Sequence, residues 1–324
     1  MPGLCPRPPA TKVDFPGKES VMSNPFFYGG QAVIEGVVIR GLRCVYLAVR
    51  DPNGAIKTEM IPLWSLANQR IRRVPLIRGT VVLLETMILG VRALNRSAEI
   101  SAGGTEQKVT VTQPVSSSNT SDRLGVAASM VFALTLGIGI FFLVPLMIAR
   151  SLDPIFPSSL VSNIIEGLVR LAFLVGYIWG IGRIPTVKRV FEYHGAEHMT
   201  IHAYEHGVSL QPDLIRRFPT AHPRCGTAFL LIVILVSIVI FALLGHPPLW
   251  IAVISRVLFL PVIAGVSYEL IRLSGTYGTN KFARIFIYPG LLLQKLTCKD
   301  PDDSQIEVAI AAMNETLAQD ARSN

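Results

Sequence analysis

Glu192-Tyr-His-Gly-Ala-Glu-His-Met-Thr-Ile-His-Ala-Tyr-Glu-His206 holds four of the chain's six histidines and stands between two pairs of strongly apolar segments. A helix turns about 100° per residue, so His194 and His198 fall one above the other on one face with Glu197 beside them. The run His194-Gly-Ala-Glu197-His198 reads H-x-x-E-H, in which two neutral imidazoles hold zinc and the carboxylate draws a proton from water. His202 and His206 do not enlarge the same site. Each four-residue step overshoots a turn by roughly 40° and climbs about 6 Å, and Glu205 lies about 10.5 Å beyond His198. A third ligand therefore has to come from elsewhere in the chain. The plainer reading is a solvated helix whose His and Glu side chains pair with one another, each pair worth only tenths of a kcal/mol.

Half of the 324 residues are hydrophobic, and they come in long blocks, which points to an integral membrane protein. The formal charge of +8 is spread over loops rather than gathered in a basic run with aromatics, so flanks of membrane helices explain it and nucleic acid is excluded as a partner. Four cysteines, Cys5, Cys44, Cys225 and Cys298, show no C-x-x-C spacing and indicate neither a disulfide framework nor a zinc knuckle.

Four segments have the length and apolarity of membrane spans: Leu124 to Ala149, Leu160 to Ile181, Thr227 to Leu244, and Leu249 to Val266. The loop between the second and third carries Arg183, Lys188, Arg189, Arg216, Arg217 and Arg224, whereas the outer connections carry almost no charge. The positive-inside rule puts both termini and the histidine-rich loop, 183–226, on the cytoplasmic side of the inner membrane. Glu166, Arg170 and Arg256 lie within spans, and a lone charge in hydrocarbon is costly, so they are expected to pair; a proton or ion path is the alternative. Glu269 falls at the inner interface after the fourth span, which makes it a candidate third metal ligand. His222 and Cys225 approach that interface from the other direction and are also candidates, while His246 lies on the opposite side.

Before the spans, Phe26 to Gly41 suits a buried strand, with Glu35 either paired with Arg40 or serving as a buried ligand. Asp51-Pro-Asn-Gly54 turns a hairpin between Arg43–Arg50 and Ala55–Pro62. Val74 to Leu94 carries Arg78, Glu85 and Arg92 every seven residues, a polar stripe that fits a helix in the membrane interface or packed on the strands; a true span is the alternative. The expected class is α+β, a small cytoplasmic β module and then a polytopic helical domain. Its divisions are a disordered 1–23, the β module and amphipathic helix at 24–96, a flexible linker at 97–123, membrane spans over 124–273, and interfacial and cytoplasmic helices over 274–324. In the last part, Phe282 to Thr297 should form a helix pair broken at Pro289-Gly290, and Ile306 to Ala318 a short helix.

Gly29-Gly-Gln-Ala-Val-Ile-Glu-Gly36, Glu192-Tyr-His-Gly-Ala-Glu-His198, His222-Pro-Arg-Cys-Gly-Thr227 and Pro301-Asp-Asp-Ser-Gln305, in that order, resemble the YqhQ-like bacterial membrane proteins of unknown function. The resemblance covers roughly residues 26 to 318 and implies a multispanning protein with a presumed metal site at His194, Glu197 and His198. Met199 stands where that family has Lys. The H-x-x-E-H run is also similar to that of inverzincin metalloproteases, by analogy alone.

These readings combine into a cytoplasm-facing, metal-dependent hydrolase. His194 and His198 bind zinc or another divalent ion, Glu269 or His222 completes the site, Glu197 is general base and Arg224 steadies the oxyanion. The partners are the lipid bilayer and an amphiphilic or membrane-attached substrate. The reading from a different class is a non-enzymatic ion or proton carrier, or an assembly scaffold.

Overall fold

The apolar stretch that ends at Gly41, expected as one strand, forms two. Strands β1 (Gly29–Val33) and β2 (Gly36–Arg40) pair antiparallel with Val33 opposite Gly36, so Ile34 and Glu35 make a two-residue turn. Such turns need a positive φ, which Glu35 supplies at 51° without the usual Gly or Asn to announce it. The Glu35 carboxylate is taken by Arg189 on both oxygens, with the Tyr193 hydroxyl at 3.3 Å, rather than by Arg40. Strands β3 (Val45–Arg50) and β4 (Ile56–Met60) form the expected hairpin, its Asp51 side chain accepting from Asn53 N and Ala55 N at 2.9 Å each. The four strands make one antiparallel sheet in the order β1-β2-β3-β4.

The computed structural model describes residues 28–62, 74–103, 128, 131–156, 158–276 and 281–322. The expectations for 1–23 and for most of the linker, from 104 onward, fall outside them; 97–101 belongs to a helix. In chain order the helices are α1 (Ile77–Ser101), α2 (Val131–Ser151), α3 (Ser159–Ile181), α4 (Pro185–Glu205) and α5 (Pro212–Ile215), followed by α6 (Thr227–Leu244), α7 (Leu249–Leu258), α8 (Leu260–Thr276), α9 (Lys281–Thr297) and α10 (Asp303–Arg322).

Strand β2 is buried on both faces, and period-2 alternation sorts its side chains between two cores. Val37 and Ile39, with Ala48 of β3, face a layer made by α4 and α10 that includes Tyr193, Ala196, Met199, Ile306, Ala309 and Met313. Val38, with Val45, Leu47 and Val49, faces Ala93 and Ile100 of α1. The carboxyl-terminal helix is thus half of a core rather than a peripheral element. It is started by Asp302 and Gln305, which trade contacts as a capping box: Gln305 N donates to Asp302 Oδ1 and Asp302 N to Gln305 Oε1, both at 2.9 Å. At its other end Asp320 accepts from Tyr28 Oη at 3.1 Å and Leu42 N at 2.9 Å, tying the helix to the sheet.

Among the described residues, α2, α3 and α6 are long and apolar enough to cross a membrane, and α7 with Leu260–Leu273 of α8 makes a fourth span if this pair, bent by 49°, is counted as one. Helix α1 is not among them: it lies against the sheet at one end and α8 at the other. Glu166 joins α3 to α7, accepting Arg170 Nη2 of its own helix on Oε1 at 2.6 Å and Arg256 Nη2 on Oε2 at 2.5 Å. Pro145 has no N–H to offer the Phe141 carbonyl four residues back, and Arg170 Nε donates to it at 3.0 Å, binding α2 as well. The phenyl ring of Phe241 lies beneath both guanidiniums, 5.6 Å and 4.2 Å from their carbons. Beyond the spans, α9 is one helix through Pro289 rather than a broken pair.

Candidate metal centre

Helix α4 leaves the end of α3 after three residues, with Pro185 in its first turn, where the missing N–H costs nothing. It ends in a Schellman turn: Gly207 takes φ 66°, Gly207 N donates to Tyr204 O at 3.0 Å and Val208 N to Ala203 O at 2.9 Å. Its apolar side is spent on the sheet and α10, so the histidine side is turned toward two segments distant in sequence, 220–225 before α6 and 297–299 after α9.

His194 and His198 are brought together as their spacing predicts, with ring centroids 4.4 Å apart, and Cys225 joins them; one donor atom from each lies within 4.8 Å of the other two. His194 Nδ1 is 3.0 Å from Thr297 O and His198 Nδ1 is 2.6 Å from Thr220 O. A carbonyl can only accept, so each Nδ1 carries a proton and Nε2 is the nitrogen left to serve as a ligand once its own proton is displaced. That is the outer-shell arrangement by which ligating histidines are oriented. His194 Nε2 already lies 3.2 Å from Cys225 Sγ. The Cys298 thiol sits on the other side, 3.4 Å and 3.6 Å from the two Nδ1 atoms. Glu197 is 3 % exposed, with Oε2 3.6 Å from His198 Nε2.

Two glycines permit these approaches. A Cβ at Gly195 would overlap the Lys299 carbonyl oxygen, so Gly195 is what lets the segment bearing Cys298 lie against α4. A Cβ at Gly30 would come within 2.8 Å of Glu197 Cγ and 2.9 Å of its Oε1, so β1 is bare where the carboxylate passes.

Protons in this cluster move from sulfur to nitrogen. Burial pushes the Cys225 thiol up, but hydrogen bonds to His194 and His198 outweigh it and bring the pKa down to about 5. Burial likewise opposes charging His198, yet Glu197 and the two thiols raise it to about 10; His194 rises for the same sulfur contacts. A divalent cation would take the place of those protons, because a cluster that favours thiolate and collects positive charge meets the electrostatic demand of one.

The other expected ligands are placed elsewhere. Both oxygens of Glu269 are held by Arg78 of α1, with Nε at 2.6 Å, because α1 packs on α8 and brings a guanidinium to it. His222 groups with His202 and Glu205 rather than with His194, and Arg224 is paired with Glu205. Burial lowers His202 to about 4. Cys298 and the carbonyls of Thr220 and Thr297 carried no spacing signal, since they arrive from 22 to 104 residues away.

Residues 74–319 match the family model described as protein of unknown function (DUF1385). The uncharacterized protein YqhQ of Bacillus subtilis (strain 168) is 35% identical over 301 residues, spanning 92% of this chain and 95% of that protein. No solved structure matches the chain.

Proposed function

The chain belongs to the DUF1385 family of unknown function, and from that premise we propose that it is a metal-dependent hydrolase of the inner membrane, with its active centre at the cytoplasmic interface. The observation that carries the proposal is the convergence of His194, His198 and Cys225 donors while both Nδ1 atoms are spent on carbonyls. Two imidazoles and a thiolate suit zinc first among divalent ions and match the three-ligand sets of catalytic sites. When bound, the ion would supply Lewis acidity to a carbonyl or phosphoryl oxygen.

The chain's own residues do the rest. Glu197 takes the proton of the attacking water and returns it to the leaving group, a role for which its buried carboxylate is fixed by the open face of Gly30. The carbonyls of Thr220 and Thr297 hold the imidazole tautomers. Cys225 lies two residues before α6, an apolar helix long enough to cross a bilayer, which favours an amphiphilic or membrane-attached substrate over a freely soluble one. The carrier reading has less support, because the charges of Glu166, Arg170 and Arg256 are closed on one another.

Elemental analysis of detergent-purified protein tests the proposal. The wild type should carry one equivalent of metal that His194→Ala/His198→Ala lacks, and Glu197→Gln should keep that metal while failing to complement a deletion strain. Equal metal in wild type and double variant, or full complementation by Glu197→Gln, overturns it.

A further inference from the structure

Two turns along α4 from His194, a second set of donors converges: His202, Glu205 and His222 each offer a ligand atom, all within 4.8 Å of one another. His202 Nε2 is 3.0 Å from the Ala221 carbonyl, so the proton sits there and Nδ1 keeps its lone pair. His222 is 4 % exposed and arrives on the segment before α6. Gln294 of α9 clamps its main chain, accepting from His222 N at 2.8 Å and donating to His222 O at 2.9 Å. This places His222 Nε2 3.4 Å from Glu205 Oε2, the separation of two donors on one ion with ligand bonds of about 2 Å. Arg224 Nη2 holds the other oxygen, Oε1. Arg224 N lies 3.3 Å from His222 Nδ1, so moving the ring proton from Nε2 to Nδ1 costs one long contact.

We propose that His202, Glu205 and His222 form a second divalent-cation site, adjacent to the His194–His198–Cys225 centre and different from it in ligand chemistry. The His198 and His222 rings are 5.6 Å apart, so the two sites share a wall. Two imidazoles and a carboxylate without sulfur suit zinc, iron(II) or manganese(II), while the nitrogen donors disfavour magnesium and calcium. Arg224 is the counter-cation of Glu205 when no ion is bound, and an incoming ion competes with it for the same carboxylate. A solvated Glu–Arg pair would require neither a buried imidazole nor the Gln294 clamp. The inference stands on its own residues and does not depend on hydrolysis.

Cobalt(II) titration of the full-length, chelator-stripped protein in detergent separates the sites, because only the first has a thiolate and only it gives thiolate-to-cobalt charge-transfer absorption in the near ultraviolet. Two equivalents should bind: the charge-transfer band saturates with one, and weaker visible ligand-field bands grow with both. Glu205→Gln keeps the size and shape of a side chain only 23 % accessible and should leave one equivalent with the band intact; His222→Gln should do the same. Arg224→Gln should tighten the second site several-fold by removing its competitor. His194→Ala/His198→Ala should lose the band and keep the second equivalent, so failure of the first centre is told apart from failure of this one. A single equivalent in the wild type that carries the charge-transfer band, or two in Glu205→Gln, overturns the proposal.

Discussion

The intramembrane charges and the histidine side of α4 are both buried sets of polar groups, and they differ in what is left over. Around Glu166 nothing is: its two oxygens take both guanidiniums, Arg170 also reaches Ser237 and Phe141 O, and Arg256 also reaches Ser255 and Ala252 O. Around His194 and His198 each ring spends one nitrogen on a carbonyl, and the other nitrogen faces the Cys225 thiol in His194 and has the Glu197 carboxylate at 3.6 Å in His198. Burial and hydrogen-bond count alone would not separate the two. Donors whose protons a cation can replace do, because the thiolate and imidazole nitrogens converge on one point while the Glu166 triad has no exchangeable proton to give up.

The largest effect belongs to Glu166. Removing it in Glu166→Ala leaves two buried guanidiniums facing each other and should cost about 3–5 kcal/mol, read from denaturant unfolding in detergent. Replacing all three charges by apolar side chains of similar size should recover much of that loss if the triad is only a lock between helices. A wild-type unfolding curve for Glu166→Ala would remove the contrast.

Gly195→Ala sharpens it from the other side. The added methyl meets backbone rather than a flexible side chain, so overpacking should cost about 1–3 kcal/mol. Displacing the 297–299 segment should also weaken metal retention, which a Glu166 variant that still folds should not do. Retention unchanged from wild type would mean that this close approach is not needed by the centre.

The smallest effect belongs to the exposed pair that closes the β1–β2 turn. The hydrogen bond from Arg189 leads the contacts that hold Glu35 below its usual carboxylate range. A depressed carboxylate stabilises the fold above its unfolded pKa, and that contribution disappears as pH falls through the folded value. Glu35→Gln should therefore cost less than about 1 kcal/mol at neutral pH and nothing once the carboxyl is protonated in the wild type. An equal cost at both ends of the pH range would point to the positive φ of residue 35, not its charge.

Much of the architecture was legible because it rests on local signals. The span boundaries follow from runs of apolar residues that nothing but hydrocarbon or a large core would bury, and α3, α6 and the α7–α8 pair lie close to where hydropathy put them. The β3–β4 hairpin announced itself in Asp-Pro-Asn-Gly. The β1–β2 turn did not, because Glu35 takes its positive φ without the residues that normally mark one. Nor did the role of α10, whose apolar face is ordinary in sequence and whose partners lie in strands some 260 or more residues earlier.

Helical periodicity by itself determined that His194 and His198 share a face, that Glu197 stands beside them and that one ion cannot take all four histidines of the helix, because a helix's geometry depends only on residue number. Which group completes the cluster was decided by tertiary packing. Cys225 comes from 31 residues away and Cys298 from 104, and no local rule relates such distances. Packing also decided the partner of Glu269, by laying α1 along α8 so that Arg78 meets both of its oxygens.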